Sequence, residues 1–123
     1  MIAIVGALQR ETSGITRSLG YRVVEGPEDF AVYTAASNQT PPMIVSGSGP
    51  ERASRATAWV IDKFNAKAIV SVGFCGASKE HQRSGDLIIA TGAINLAGSP
   101  FEWSRPIETD SIDANRLLLL AAR

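Results

Sequence analysis

The chain has 123 residues, room for one hydrophobic core and too few for two independent ones. Apolar residues make up 45% and charged residues 20%, the composition of an ordinary globular domain. Twelve basic side chains balance twelve acidic ones, which excludes the net positive field expected of a nucleic-acid binder or of a protein held on an anionic membrane.

In chain order, Ile2 to Val5 is an uninterrupted apolar run ending at Gly6, the pattern of a strand buried on both faces. Gln9, Arg10 and Glu11 follow at once, so the opening reads as a strand rather than a signal peptide. Gln9 to Leu19 predicts a short helix that stops at Gly20. Tyr21 to Val24 and Phe30 to Ala35 predict two strands around the turn residues Gly26, Pro27, Glu28 and Asp29. A second turn over Asn38 to Pro42 leads to a strand starting at Met43, which makes an antiparallel meander. After Gly47-Ser48-Gly49-Pro50 the period changes: Ala53, Ala56, Ala58, Trp59, Val60 and Phe64 predict a helix of about four turns with Pro50 at its start.

Ala68 to Val72 predicts another buried strand, closed by Gly73, and Leu87 to Ala90 a further one after the turn Ser84-Gly85-Asp86. Gly98 to Asp110 reads as a loop, and Asp110 or Ser111 as the cap of a last helix through Leu120. The expected fold is α/β: a mixed central sheet with flanking helices, one domain over residues 1–123. A helix still apolar at Leu117 to Leu120 expects a following strand, so the chain reads as truncated at Arg123.

Three turns follow the C-terminal ends of predicted buried strands: Gly6 to Glu11, Gly47 to Arg52 and Gly73 to Ala77. Ligands of open α/β sheets bind at those ends, and glycines there let backbone N–H groups approach a ligand. Glu11 has two readings, a general base on water or a first-turn acid that complements the helix dipole; position alone favours the second. Gly47-Ser48-Gly49 has the Lys-Ser/Thr ending of no P-loop and the spacing of no dinucleotide fingerprint. Cys75 is the only cysteine, so no internal disulfide forms and a reducing, cytoplasmic compartment is expected. It reads as a small buried residue lining a pocket rather than a nucleophile, since the one histidine, His81, falls on a solvated loop. One cysteine and one histidine leave no metal site in view, and no cofactor is expected. Phe30, Phe101 and Trp103 are candidates for a flat ligand or a second subunit, and equally for the core.

Together these turns resemble a known family. "IAIVGALQRE" is similar to the start of the methylthioadenosine/adenosylhomocysteine nucleosidases, "IVSGSGPERASRA" to their Ser-Gly-x-Gly turn and Ala-rich helix, and "AIVSVGFCGASKEHQRSGDLIIAT" to their Gly-x-Ala-Gly-Gly … Gly-Asp segment. The wider nucleoside phosphorylase superfamily, including hopanoid-associated phosphorylase-like proteins, shares much of the pattern.

The resemblance implies a nucleoside phosphorylase-like fold and cleavage of purine N-glycosidic bonds. It puts Glu11 on the water-activating glutamate, Ala7 and Leu8 on the wall near the ribose and 5′ substituent, Ser48 on the variable place facing the sugar's 5′ side, and Phe74, Cys75 and Gly76 on the turn beside ribose and base. Phe74 departs from the small hydroxyl residue that helps to hold the water, and Cys75 and Ala77 replace Ala and Gly. The family's Met-Glu segment and purine-protonating aspartate belong to a C-terminal half without a counterpart here. Hydrolysis is therefore expected to be impaired. The alternatives are phosphorolysis, with phosphate in place of water, and a non-catalytic nucleoside-binding or assembly module. The implied partners are a purine nucleoside and further copies of the chain, with no nucleic acid or membrane.

Overall fold

The computed structural model describes residues 1–77, 79–90, 92–96 and 109–113. The chain divides into two compact units, Met1–Gly76 and Ala77–Arg123.

The first unit is a five-stranded mixed sheet with a helix on each face. Its elements are β1 (Ile2–Gly6), α1 (Gln9–Ser18), β2 (Arg22–Val24), β3 (Ala31–Thr34), β4 (Met43–Val45), α2 (Pro50–Phe64) and β5 (Ala68–Val72). The strand order is β2-β3-β4-β1-β5. β1 lies between β4 and β5 and runs parallel to both, whereas β2, β3 and β4 pair antiparallel as the expected meander.

Strand alternation divides the core between the faces. Ala3 and Val5 of β1, Val32 of β3 and Ile44 of β4 join Ala56 and Val60 of α2, with Phe30, Trp59 and Phe64 packed against them. Their neighbours in the strands, Ile4, Tyr33, Met43 and Val45, form the opposite face with Ile15 of α1 and Tyr21. Trp59 meets Phe64 edge-on at 6.0 Å and Arg55 lies over the Phe30 ring at 5.6 Å, both aromatics being partly buried against the α2 side of the core. Phe101, Trp103 and Leu117 to Leu120 lie outside the described residues.

Both helices end as their sequences require. Behind α1, Gly20 at φ 63° lets its N–H reach the Arg17 carbonyl and the Tyr21 N–H reach that of Thr16, a Schellman pattern. Asn65 takes the left-handed conformation behind α2, which asparagine tolerates better than most residues. Tyr21 then donates its hydroxyl to the Pro41 carbonyl, and burial raises its pKa above 10.0.

The second unit contains β6 (Gly92–Leu96) and β7 (Thr109–Asp113), an antiparallel pair with Ile94 opposite Ser111. Two expectations are corrected here. Leu87 to Ala90 is not a strand: Leu87, Ile88 and Ile89 are exposed, and among the described residues the run has no neighbouring strand to pair with. Asp110 and Ser111 do not cap a helix but lie inside β7, where pairing with β6 satisfies the backbone and overrides their capping preference. The turn at Ser84-Gly85-Asp86 stands, closed by the Arg83 N–H on the Asp86 carboxylate at 2.8 Å. Among the described residues no helix is long and apolar enough to cross a membrane.

Candidate functional site

Because β4, β1 and β5 are adjacent and parallel, their C-terminal ends form one rim of the sheet. The candidate residues follow these strand ends: Ala7 and Leu8 in the loop after β1 with Glu11 in the first turn of α1, Ser48 after β4, and Phe74, Cys75 and Gly76 after β5.

The β1 and β4 loops are stitched together by backbone. The Ser46 N–H donates to the Gly6 carbonyl at 2.9 Å and the Gly47 N–H to the Ala7 carbonyl at 2.9 Å. The Ser46 hydroxyl, 1% exposed, lies 2.8 Å from the Gly47 carbonyl and 3.3 Å from that of Gly6. Sequence reasoning missed Ser46 as an organising residue; the signal was its place at the head of the Ser-Gly-x-Gly turn. Gly47 at φ 78° and Gly49 at φ 108° bend that turn into α2 and leave Ser48 exposed between them.

Glu11 joins the β1 loop to the β5 loop. Leu8 occupies the N-cap of α1 with extended dihedrals, and a leucine side chain has no atom to cap with. Glu11, three residues on, supplies the missing acceptor: the Leu8 N–H donates to Glu11 Oε2 at 3.0 Å, the reach-back half of a capping box. Its other oxygen accepts the Phe74 N–H at 3.3 Å. Each carboxylate oxygen therefore holds one backbone donor and keeps acceptor capacity for a water or hydroxyl. The two readings of Glu11 are compatible, since it caps its helix and also faces the neighbouring loop.

One glycine is required here: a Cβ on Gly6 would stand 2.5 Å from Thr12 Cγ2, and Thr12 is wholly buried. A Cβ on Gly73 would stand 3.5 Å from Glu11 Oε1, an ordinary contact that a side chain tolerates.

Phe74 turns outward, 72% exposed, so its backbone rather than its ring meets Glu11. Cys75 is exposed, which corrects the expectation of a buried thiol: it lies beyond the last residue of β5, in a segment without regular secondary structure. His81 is exposed as expected. Among the described residues no cluster of His, Cys, Asp or Glu has the makings of a metal site.

Comparison with known proteins finds relatives in sequence and in fold. The phosphorylase superfamily matches over residues 1–122. A 5′-methylthioadenosine/S-adenosylhomocysteine nucleosidase from an Exiguobacterium species is 26% identical over 91 residues, 73% of this chain and 39% of the relative. The nucleosidase of the same name from Staphylococcus haemolyticus is 28% identical over 95 residues, 76% of this chain and 42% of the relative. Among solved structures, the Helicobacter pylori 5′-methylthioadenosine/S-adenosylhomocysteine nucleosidase with butyl-thio-DADMe-Immucillin-A has a TM-score of 0.80 at 19% identity, covering 98% of this chain and 55% of that one. Futalosine hydrolase from the same organism has a TM-score of 0.77 at 19% identity, with the same 98% and 55% coverage. At these identities the structural likeness is one of fold. The chain spans 39% and 42% of the curated relatives named and 55% of the solved chains. With 122 of its residues matched, the chain belongs to the phosphorylase superfamily.

Proposed function

We propose that this chain carries the nucleophile-directing part of a purine nucleoside N-glycosidase site. Glu11 is its base, and Ala7, Leu8, Ser48, Phe74, Cys75 and Gly76 line the nucleoside pocket. The observation that carries the reading is the clamp on Glu11, whose carboxylate is held at one rim by backbone from two loops. The names of the curated relatives and of the neighbouring structures support it.

In the proposed reaction the bond between the sugar's C1′ and the purine nitrogen breaks with its electron pair going to the base, and the sugar becomes cationic. A carboxylate fixed in place stabilises that charge without having to reorganise. Glu11 accepts a proton from the attacking water as its oxygen bonds to C1′. The departing purine needs a proton of its own. The resemblance puts the aspartate that supplies it in a part of the fold that these residues do not span. Leaving-group protonation is worth ~100- to 10,000-fold, and an open pocket weakens every charge interaction in it. The 123-residue chain by itself is therefore proposed to be at most feebly active.

Phosphorolysis is the second reading, favoured by Phe74, which has no hydroxyl to hold a water and turns its ring outward. Assays on methylthioadenosine and inosine, with and without phosphate, separate the two. A feeble, phosphate-independent rate that falls further in Glu11→Gln supports hydrolysis. Phosphate dependence selects phosphorolysis. A rate unaffected by Glu11→Gln removes Glu11 from the chemistry.

We also propose a cytoplasmic protein in which both units belong to one domain, and which self-associates. Among the described residues β5 is an edge strand, and open edges invite pairing. Light scattering that shows a clean monomer at high concentration contradicts self-association.

A further inference from the structure

Thr12 and Ser46 are the buried polar side chains among the described residues. The Thr12 hydroxyl returns to its own helix, on the Gln9 carbonyl at 3.2 Å. Ser46 instead directs its bond to the turn between β4 and α2. A serine hydroxyl has one proton to donate. The Gly6 carbonyl lies 3.3 Å away and already accepts the Ser46 N–H at 2.9 Å, whereas the Gly47 carbonyl lies at 2.8 Å, the usual length for a hydroxyl donor. The proton therefore goes to Gly47.

Gly47 is then tied at both of its peptide groups. Its N–H donates to the Ala7 carbonyl at 2.9 Å, and its carbonyl accepts from Ser46 at 2.8 Å. The peptide between Gly47 and Ser48 is trans, so its N–H points opposite to its carbonyl. With the carbonyl drawn toward the buried Ser46, the Ser48 N–H is directed away from the interior. Ser48 is exposed, and its N–H meets no acceptor among the described residues.

We infer that Ser46 is a positioning residue that acts through the Gly47 carbonyl and turns the Ser48 N–H out at the rim, as a donor to an acceptor atom of the nucleoside. The inference rests on the proposed nucleoside reading of this rim. Ser46 itself touches no ligand. Its loss would leave the backbone bonds from Ser46 to Gly6 and from Gly47 to Ala7 in place, and would release only the peptide plane that carries the donor.

The test follows amide resonances while methylthioadenosine is titrated into the 123-residue protein and into Ser46→Ala and Ser46→Cys. Alanine removes the hydroxyl, and cysteine fills its place with a much weaker donor. Both variants are expected to displace the Ser48 amide in the ligand-free protein and to weaken methylthioadenosine about 3- to 10-fold. The Leu8 and Phe74 amides, held by Glu11, are expected to keep their positions in the ligand-free variants. A lower denaturation midpoint with the affinity unchanged would reduce Ser46 to a structural part and overturn the inference. So would a Ser48 amide that does not move, or Leu8 and Phe74 displaced as far as Ser48, which would mark a general loosening. Binding indifferent to both variants thus keeps the nucleoside reading and defeats the role of Ser46. If methylthioadenosine does not bind the unmodified protein, the nucleoside reading fails; displacement of the Ser48 amide alone would then still uphold the orienting bond, and its absence would defeat that too.

Discussion

The Glu11 carboxylate accepts the Phe74 backbone N–H at 3.3 Å across 63 residues of sequence, which makes one side chain the tie between the first and last strands of the parallel layer. The same carboxylate holds the Leu8 N–H at 3.0 Å, so the group proposed as base also fastens the start of its own helix. Structure and chemistry are coupled at this residue, and a substitution there is expected to change both.

Replacing Glu11 with Ala removes the acceptor for the Leu8 N–H at a helix start that has no side-chain cap of its own. Losing a cap of this kind costs about 1 kcal/mol. Glu11→Gln keeps one acceptor oxygen but offers an NH₂ group to the second backbone donor, and should fall between the two. Urea denaturation of the three proteins measures the order, and equal midpoints would show that the cap contributes nothing.

Gly6→Ala drives a methyl to 2.5 Å from Thr12 Cγ2 in a fully packed position, and overpacking of this kind costs about 1–3 kcal/mol. Thr12→Ser deletes that methyl and keeps the hydroxyl, which donates to the Gln9 carbonyl at 3.2 Å. The double variant should therefore recover part of the loss. Strict additivity of the two changes in thermal denaturation would show that the contact is not the cause.

Met43 is fully buried on the central strand layer, facing Ile4 and Ile15. Met43→Ala should destabilise the fold by about 2–5 kcal/mol, the range for a large side chain removed from a core that cannot collapse. A loss well below 1 kcal/mol would mean that this face is loosely packed.

The phenol of Tyr21 is held protonated by its burial, with a native pKa raised above 10.0. The native state then keeps a proton that the unfolded chain releases. Its contribution is complete below about pH 10 and is lost as pH rises through the native value. Tyr21→Phe should flatten the decline of stability above pH 10. An unchanged profile in that variant would place the alkaline transition elsewhere.

Much of this was legible in the sequence. The apolar runs at Ile2 to Val5 and Ala68 to Val72 gave parallel strands, but only the first is buried: β5, an edge strand among the described residues, is half-covered with Ser71 exposed. The meander and α2 followed from turn residues and from the change of period after Gly49. The three glycine-marked loops were placed correctly because strand ends in a parallel layer share one side. The double clamp on Glu11 was not legible, since it depends on an N-cap with no side chain to serve it and on a backbone N–H far away in sequence. The exposure of Cys75 was missed because its neighbours Phe74 and Gly76 say nothing about where a sheet's cover ends. Leu87 to Ala90 and Asp110 to Ser111 misled because local preference decides a short segment only when no pairing competes.

The most direct test of the central claim follows backbone amide resonances while methylthioadenosine is titrated into the protein. The account predicts that Leu8, Ser48 and Phe74 shift together with a single affinity, while Val23 and Val24 on the far edge strand stay still. An absence of shifts, or shifts confined to residues away from the Gly6, Gly47 and Gly73 loops, would contradict it.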